Sequence, residues 1–334
     1  MKVLFIGGTG NISTSVSMAC LERGIELHLL TRGTRRVDIP GAHVIRGDVN
    51  NPGDQASLLS AGRWDSVVDW IAYTTGDIER DINLFRGRAD QYVFISSASV
   101  YQKPPVHPVI TESTPLCNPF WEYSRNKIAC EERLNRAYRE EVFPATVVRP
   151  SHTYDTVIPV ALGGWTEYTV VERMKKGRPV IVHGDGTSLW TVTHAEDFAK
   201  GFVGLLGHPQ AIGEAFHITS DETLTWNQIY QSIARAVGCE PRIVHIPSDF
   251  IAMCDESLRG GLLGDKAYSV MFDNSKIKRI VPDFTATIPF HLGIRRTLAW
   301  FEADPARQVV RSETHAMMDR ILQAYQKSGA DIAG

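Results

Sequence analysis

Apolar residues along the first half of the chain gather in short runs separated by longer mixed stretches. The runs are KVLFI at 2–6, IELHLLT at 25–31, HVIR at 43–46, SVVDW at 66–70, QYVFIS at 91–96 and ATVVR at 145–149. Most are rich in β-branched or aromatic side chains, and all are short enough to be strands. The stretches 11–24, 52–61, 75–88 and 121–141 between them read as helices, the first ended by Gly24. Strands alternating with helices imply a parallel sheet covered on both faces, a doubly wound α/β architecture. After Pro150 the rhythm breaks. Helices are predicted at 165–176, 195–206, 225–237 and 288–303, with short strands at 179–182 and 242–245 and a returning sheet strand at 216–219. The expected division is a sheet domain over 1–150, completed by about 195–220, and a smaller C-terminal lobe from 151–194 and 221–310. Residues 311–334 make a terminal helix or tail. A ligand is expected between the lobes, at the carboxyl ends of the strands.

The residues after the first strand give that ligand a chemical class. Gly7-Gly8-Thr9-Gly10 turns the chain, and Asn11 starts a helix. Gly7 and Gly10 let the backbone approach a pyrophosphate without a Cβ clash. The free N–H groups and the positive end of the helix dipole then face the phosphates. Glycines alone mark any tight turn; strand, turn and helix together open a dinucleotide-binding unit.

Composition narrows the field. With 334 residues the chain suits two domains, or one with a large extension. A hydrophobic fraction of 43% and a charged fraction of 22% are ordinary for a soluble globular protein. Net charge is −3, so no global basic field attracts nucleic acid. The local basic clusters at 34–36 and 276–279 read as solvated faces. The chain opens on a core strand, which leaves no room for a signal peptide, and no apolar run spans a bilayer. Cys20, Cys117, Cys130, Cys239 and Cys254 form no C-x-x-C pair, which suits reduced thiols in a cytoplasm. No metal site is expected from the histidine spacing.

Tyr123 and Lys127 are four residues apart at the start of a long helix, hence on one face. A phenol with its usual pKa of about 10 is a poor base at neutral pH, and a nearby ammonium favours the phenolate. Ser97 follows the fifth strand, where its hydroxyl can orient a substrate oxygen while Tyr123 exchanges the proton.

With these motifs the chain resembles the extended, partly atypical short-chain dehydrogenases/reductases, the NAD-dependent epimerase/dehydratase family that includes nucleotide-sugar epimerases. The resemblance runs from Lys2 to about Phe301. It rests on GGTGNIS at Gly7, GDV at Gly47, FISSASVY at Phe94, YSRNK at Tyr123, RPSHTY at Arg149, THAEDFA at Thr193 and FHITSDETLTW at Phe216. It implies a Rossmann sheet with a smaller substrate lobe and a catalytic trio of Ser97, Tyr123 and Lys127. It implies cofactor contacts at Gly7, Thr9, Gly10, Asn11, Ile12, Arg32, Asp48, Val49, Ala72, Tyr123 and Lys127. It also implies a homodimer built on the helices at 75–88 and 121–141, where Ile128, Leu134 and Ala137 are candidates for the contact.

Departures from the family pattern carry information. Ser13 stands at the third glycine position, which would set helix and sheet slightly apart. Thr31-Arg32-Gly33 replaces the acid that grips a ribose 2′-hydroxyl, with Arg35 and Arg36 close by. A guanidinium suits a 2′-phosphate, which favours NADP over NAD; solvated arginines are the other reading. Ala98-Ser99 replaces the Asp-Glu pair of the sugar dehydratases. Trp190 replaces a phosphate-gripping arginine, and is either a stacking face or a core residue. His152 either touches substrate or is a satisfied buried histidine. Ser97, Ser99, His152, Trp165 and Trp190 form the expected substrate set, suited to a sugar. The expected activity is a sugar or nucleotide-sugar epimerase or oxidoreductase using NADP or NAD. The alternatives are an NADPH-dependent carbonyl reductase and a cofactor-bound regulatory protein with a vestigial site. Expected partners are a small sugar-like substrate and a second copy of the chain, with neither nucleic acid nor membrane, in the cytoplasm.

Overall fold

The computed structural model describes residues 1–34, 37–60 and 62–333. Seven strands form the central sheet: β1 (Lys2–Ile6), β2 (Glu26–Thr31), β3 (His43–Arg46), β4 (Ser66–Asp69), β5 (Tyr92–Ile95), β6 (Ala145–Pro150) and β7 (Ala215–Ile218). Their order is β7-β6-β5-β4-β1-β2-β3, and every pairing is parallel. The order reverses between β1 and β4, which opens a crevice at their carboxyl ends.

Two-residue alternation along β1 builds the two faces. Val3 and Phe5 face a core shared with Val16 of helix α1 (Asn11–Glu22). A later helix, Ala195–Leu205, adds Phe198 and Phe202 to that core. Leu4 and Ile6 face the other core, with Leu58 of helix α2 (Pro52–Ser60), Ile78 and Ile82 of α3 (Thr75–Phe85) and Leu134 of α4 (Glu122–Glu141). Asn118 holds the turn that leads into α4: its Oδ1 accepts the Phe120 and Trp121 N–H groups at 3.2 and 3.1 Å.

The returning strand forms as expected, β7 pairing beside β6. A separate core collects Tyr154, Val180, Trp226, Ile229, Ile246, Phe290 and Phe301. The terminal helix Ser312–Ala333 buries Met318, Ile321 and Leu322 in it. Two expectations change. The helix expected at 165–176 begins only at Thr169, because Glu167 Oε1 turns back to the Gly164 N–H at 2.6 Å and leaves Trp165 in a loop. Leu134 and Ala137 are fully buried in this chain's own core, so neither can meet a second copy. The outward face of α3 and α4 carries ion pairs instead, with Arg133 joining Glu79 and Glu141. The terminal helix does not cover that face; it packs on the helix Ser248–Cys254 and the strand Val180–His183.

The parallel pair His152–Tyr154 and Val192–His194 was not expected. Histidines distant in sequence also meet: His28 pairs in register with His43, and with Glu26 their ligand atoms lie within 4.8 Å of one another. All five cysteines are unpaired. Among the described residues no helix is long and apolar enough to cross a membrane.

Candidate active site

One cleft of about 780 Å³ runs along the carboxyl ends of the strands, from Arg32 and Asp48 at one end to Trp165 and Lys266 at the other. Of the residues expected to meet a cofactor, Gly7, Thr9, Gly10, Asn11, Ile12, Arg32, Asp48, Val49, Tyr123 and Lys127 line it. Ala72 does not. It is buried, and the wall at that point is made by Trp70, Ile71 and Tyr73.

The glycine turn is tight for steric reasons. Gly8 has φ +101, and a Cβ there would sit 2.8 Å from Leu29 Cδ2. Gly7 has φ +95, and a Cβ there would meet Trp70 and Ile71 at 3.3 Å. Ser13 takes part in the turn itself: its Oγ accepts the Gly10 N–H at 2.7 Å. Asn11 Nδ2 donates to the Thr153 carbonyl at 2.9 Å and ties this end of α1 to the second lobe. Asp69, fully buried at the end of β4, accepts the Ile71 and Ala72 N–H groups at 2.6 and 2.8 Å. Arg80 donates to its other oxygen at 3.0 Å, which compensates that buried charge.

Arg32 is exposed at the mouth, 3.8 Å from Asp48 Oδ2. Arg35 and Arg36, expected beside it, lie outside the described residues.

Ser97, Tyr123 and Lys127 come together in the middle of the cleft. Ser97 Oγ is 2.9 Å from Ser99 Oγ, which accepts from the Ser124 hydroxyl at 2.7 Å. Asn118 Nδ2 donates to the Ser99 carbonyl at 2.8 Å. This hydroxyl relay holds the strand-end turn against the start of α4. Lys127 donates to the carbonyls of Ala72 and Ile95 at 2.7 and 2.8 Å, so one of its three N–H groups is left over. Burial pulls the Lys127 ammonium down to about 8. Burial pushes the Tyr123 phenol up to about 12, while the Ser97 hydroxyl pulls it back the other way. Lys127 is not among the groups that lower the phenol, so that expectation is not met. The ammonium lies 5.8 Å from the Tyr123 ring centroid and closer to Tyr73, at 4.5 Å.

Ser99, His152, Trp165 and Trp190 line the far half. Trp190 is almost fully buried, packs on Trp226 at 5.6 Å, and donates its N–H to His152 Nδ1 at 3.3 Å. It is core and support together. Trp165 stacks on His152 with centroids 4.3 Å apart. Burial, with Lys266 second, holds the His152 imidazole well below its ordinary pKa and therefore neutral.

Sequence reading missed Tyr73, Lys103, Trp121, Asp265 and Lys266, which also line the cleft. Asp265 and Lys266 arrive on an irregular helical segment that closes on Trp121. A Cβ at Gly260 would sit 2.3 Å from the indole. The signal was there in GGLLG at 260–264, glycines that permit a close approach.

Comparison with known proteins gives a consistent picture. The NAD dependent epimerase/dehydratase family matches residues 3–219. The chain is 26% identical over 292 residues to the 2'-dehydrokanamycin reductase of Streptomyces kanamyceticus, covering 85% of this chain and 80% of that protein. It is 27% identical over 265 residues to the chloroplast stem-loop binding protein of 41 kDa b of Arabidopsis thaliana, covering 75% and 67%. Among solved structures, an epimerase from Methanothermobacter thermautotrophicus superposes with a TM-score of 0.74 at 17% identity, over 91% of this chain and 93% of that one. A UDP-glucose 4-epimerase from Thermus thermophilus, in complex with NAD, gives 0.71 at 20% identity, over 90% and 99%. At these identities the structural likeness speaks to the fold alone.

Proposed function

We propose that this chain, which belongs to the NAD dependent epimerase/dehydratase family, moves hydride to or from a hydroxyl-bearing carbon of a sugar or sugar derivative, with Tyr123 as acid/base. The observation that carries this is the convergence of Ser97, Tyr123 and Lys127 in the same cleft as the glycine turn. The residues present fit a dinucleotide: a turn at Gly7-Gly8 with no room for a Cβ, a helix N-terminus behind it, and an ammonium with one donor left over. When bound, the nicotinamide supplies the hydride donor or acceptor.

The chain's own residues do the rest. Ser97 holds the substrate oxygen, and the Ser99–Ser124 relay holds Ser97. Tyr123, whose phenol burial keeps protonated at neutral pH, gives its proton to a ketone oxygen in the reducing direction. Lys127, held by two carbonyls, stands ready for ribose hydroxyls. Arg32, with no carboxylate at the end of β2, supports NADP as the preferred cofactor. Ala98 and the hydroxyl of Ser99 leave the relay without the acid and base of a dehydratase.

Epimerisation would be the outcome if hydride were returned to the opposite face of the same carbon, with Tyr123 exchanging the proton of its oxygen in both directions. A simple NADPH-dependent reduction is the second reading, favoured by the reductase relative that covers most of the chain. Mass spectrometry of the molecule released on gentle denaturation separates them: retained NAD supports the epimerase, retained NADP the reductase. A Tyr123→Phe protein with full turnover would remove both. Salt-sensitive retention on RNA without any hydride exchange would favour a binding protein instead. We also retain the homodimer as a proposal, now through the polar face of α3 and α4.

A further inference from the structure

The far end of the cleft holds hydrogen-bond donors that the trio does not use. Lys103 follows the Ser97–Ser99 turn and lines the cleft, yet is only 3% exposed. Among the described residues its side chain has no hydrogen bond and no ion pair. Its backbone is fixed, its N–H donating to the Cys117 carbonyl at 2.9 Å. Lys266 is 5% exposed, with Nζ 3.3 Å from Asp265 Oδ2. Its own carbonyl is 2.9 Å from His183 Nε2. Asp265 is the one carboxylate lining this end among the described residues; it pairs with Lys266 and also favours the Lys103 charge, so two cations share a single anion.

His152 adds a donor. An indole N–H can only donate, so Nδ1 of His152 must accept from Trp190. The neutral ring then carries its proton on Nε2, a buried atom with no partner. What remains is the ammonium of Lys103, on a nearly buried residue of the cleft wall, and the fully buried Nε2–H of His152, neither with a hydrogen-bond acceptor among the described residues. Groups of this kind are costly to bury alone, and a ligand that brings negative charge would satisfy both.

We propose that the substrate carries an anionic group, a carboxylate or a phosphate, received by Lys103, and that His152 Nε2 donates to the same ligand. Trp190 is the positioning residue that sets the His152 tautomer. This rests on reading the cleft as the site of hydride exchange. The positive charge is carried by the segment after the Ser97 turn, while Trp190 stands where the family pattern has a phosphate-gripping arginine.

The test titrates the cofactor-loaded protein with glucuronate, glucose 6-phosphate and glucose, following the fluorescence of the cleft tryptophans. At least one anion should saturate, and glucose should not at equal concentration. Binding of glucuronate alone identifies a carboxylate subsite, and of glucose 6-phosphate alone a phosphate subsite. Lys103→Met should weaken binding by about tenfold or more, the size of one lost charge-assisted contact, and Lys103→Arg should recover most of it. Trp190→Phe should release the tautomer, read from the ring-nitrogen NMR shifts of His152. Saturation by glucose as good as by the anions, by neither anion, or by a Lys103→Met protein at wild-type affinity overturns the proposal. Anion binding without hydride exchange would leave this inference standing and remove the proposed function. Exchange on neutral sugars, indifferent to Lys103, would do the opposite.

Discussion

Lys127 stands one helical turn beyond Tyr123 on α4, but its ammonium bonds to the carbonyls of Ala72 and Ile95 instead of serving the phenol. Burial then dominates both groups. The phenol is pushed up to about 12, and the ammonium is pulled down to about 8. The pair is set as a proton donor with a charged neighbour at neutral pH.

A pH profile follows from that setting. Reduction, which needs protonated Tyr123, should be nearly flat between pH 6 and about 8. Oxidation needs the phenolate, so its kcat/KM should climb with pH, then bend near 8 as Lys127 loses its charge. Tyr123→Phe should lower both directions by about 10²–10⁴-fold, the usual reach of general acid–base catalysis. Steady-state rates across the pH range check this, and a flat oxidation profile would count against Tyr123 as base.

Arg32 provides a separate test of cofactor choice. Its side chain is exposed and only 3.8 Å from Asp48, so removing it should cost little stability. Arg32→Ala should weaken NADP binding by about tenfold, the order of one charge-assisted contact, and leave NAD nearly unchanged. Calorimetric titration of both dinucleotides decides it; equal losses for the two would show that Arg32 does not read a 2′-phosphate.

Below the trio lies a buried ion pair that gives a stability prediction. Glu131 on α4 accepts from Arg149 on β6 at 2.6 Å, and neither side chain is more than 6% exposed. Arg149 also stacks on Tyr101 at 4.9 Å. Glu131→Gln would leave a buried guanidinium without its counter-charge, a loss of about 3–5 kcal/mol in comparable breaks. Denaturant unfolding should show the drop. Replacing an exposed ion-pair member such as Arg296, which meets Glu196 at 3.2 Å, should change stability by about 1 kcal/mol or less.

The sheet and the trio were readable because their signals are local. Strands covered on both faces read as unbroken apolar runs, and Tyr123 and Lys127 share a face by spacing alone. The far end of the cleft was not readable. Lys103, His152 and Lys266 come from three distant segments, joined by tertiary contacts such as the approach of Gly260 to Trp121. His28 and His43 meet only through strand register. Helix periodicity marked Leu134 and Ala137 as apolar but could not say whether they face this chain or another.

The dimer is tested by mass. The outward face of α3 and α4 offers Glu79, Arg86, Arg133 and Glu141 in mutual ion pairs. A second copy meeting this face would add exposed charge–charge contacts, which salt screens. Light scattering at micromolar concentration should give twice the chain mass at low salt and a falling mass as salt rises. A single-chain mass at every salt concentration would remove the dimer.

The last expectation concerns acid. His183 is buried with its pKa pulled down to about 4, and burial lowers His152, His194 and His217 as well. In the unfolded chain each returns to about 6.5. Between those values the unfolded state binds more protons, so stability rises with pH. The contribution is whole above about 6.5 and is lost as pH falls towards 4. For His183 alone the full change is on the order of 3 kcal/mol, at about 1.4 kcal/mol per pKa unit. Other groups bear on the same ring, because Lys266 supplies both a carbonyl that supports its charge and an ammonium that opposes it. The melting temperature should therefore fall steadily from pH 6.5 to 4, before most carboxylates titrate. His183→Gln should melt lower at pH 7, where it loses the ring's contact with Trp226, and should show a shallower fall with acid. A slope equal to wild type would mean that His183 titrates alike in both states.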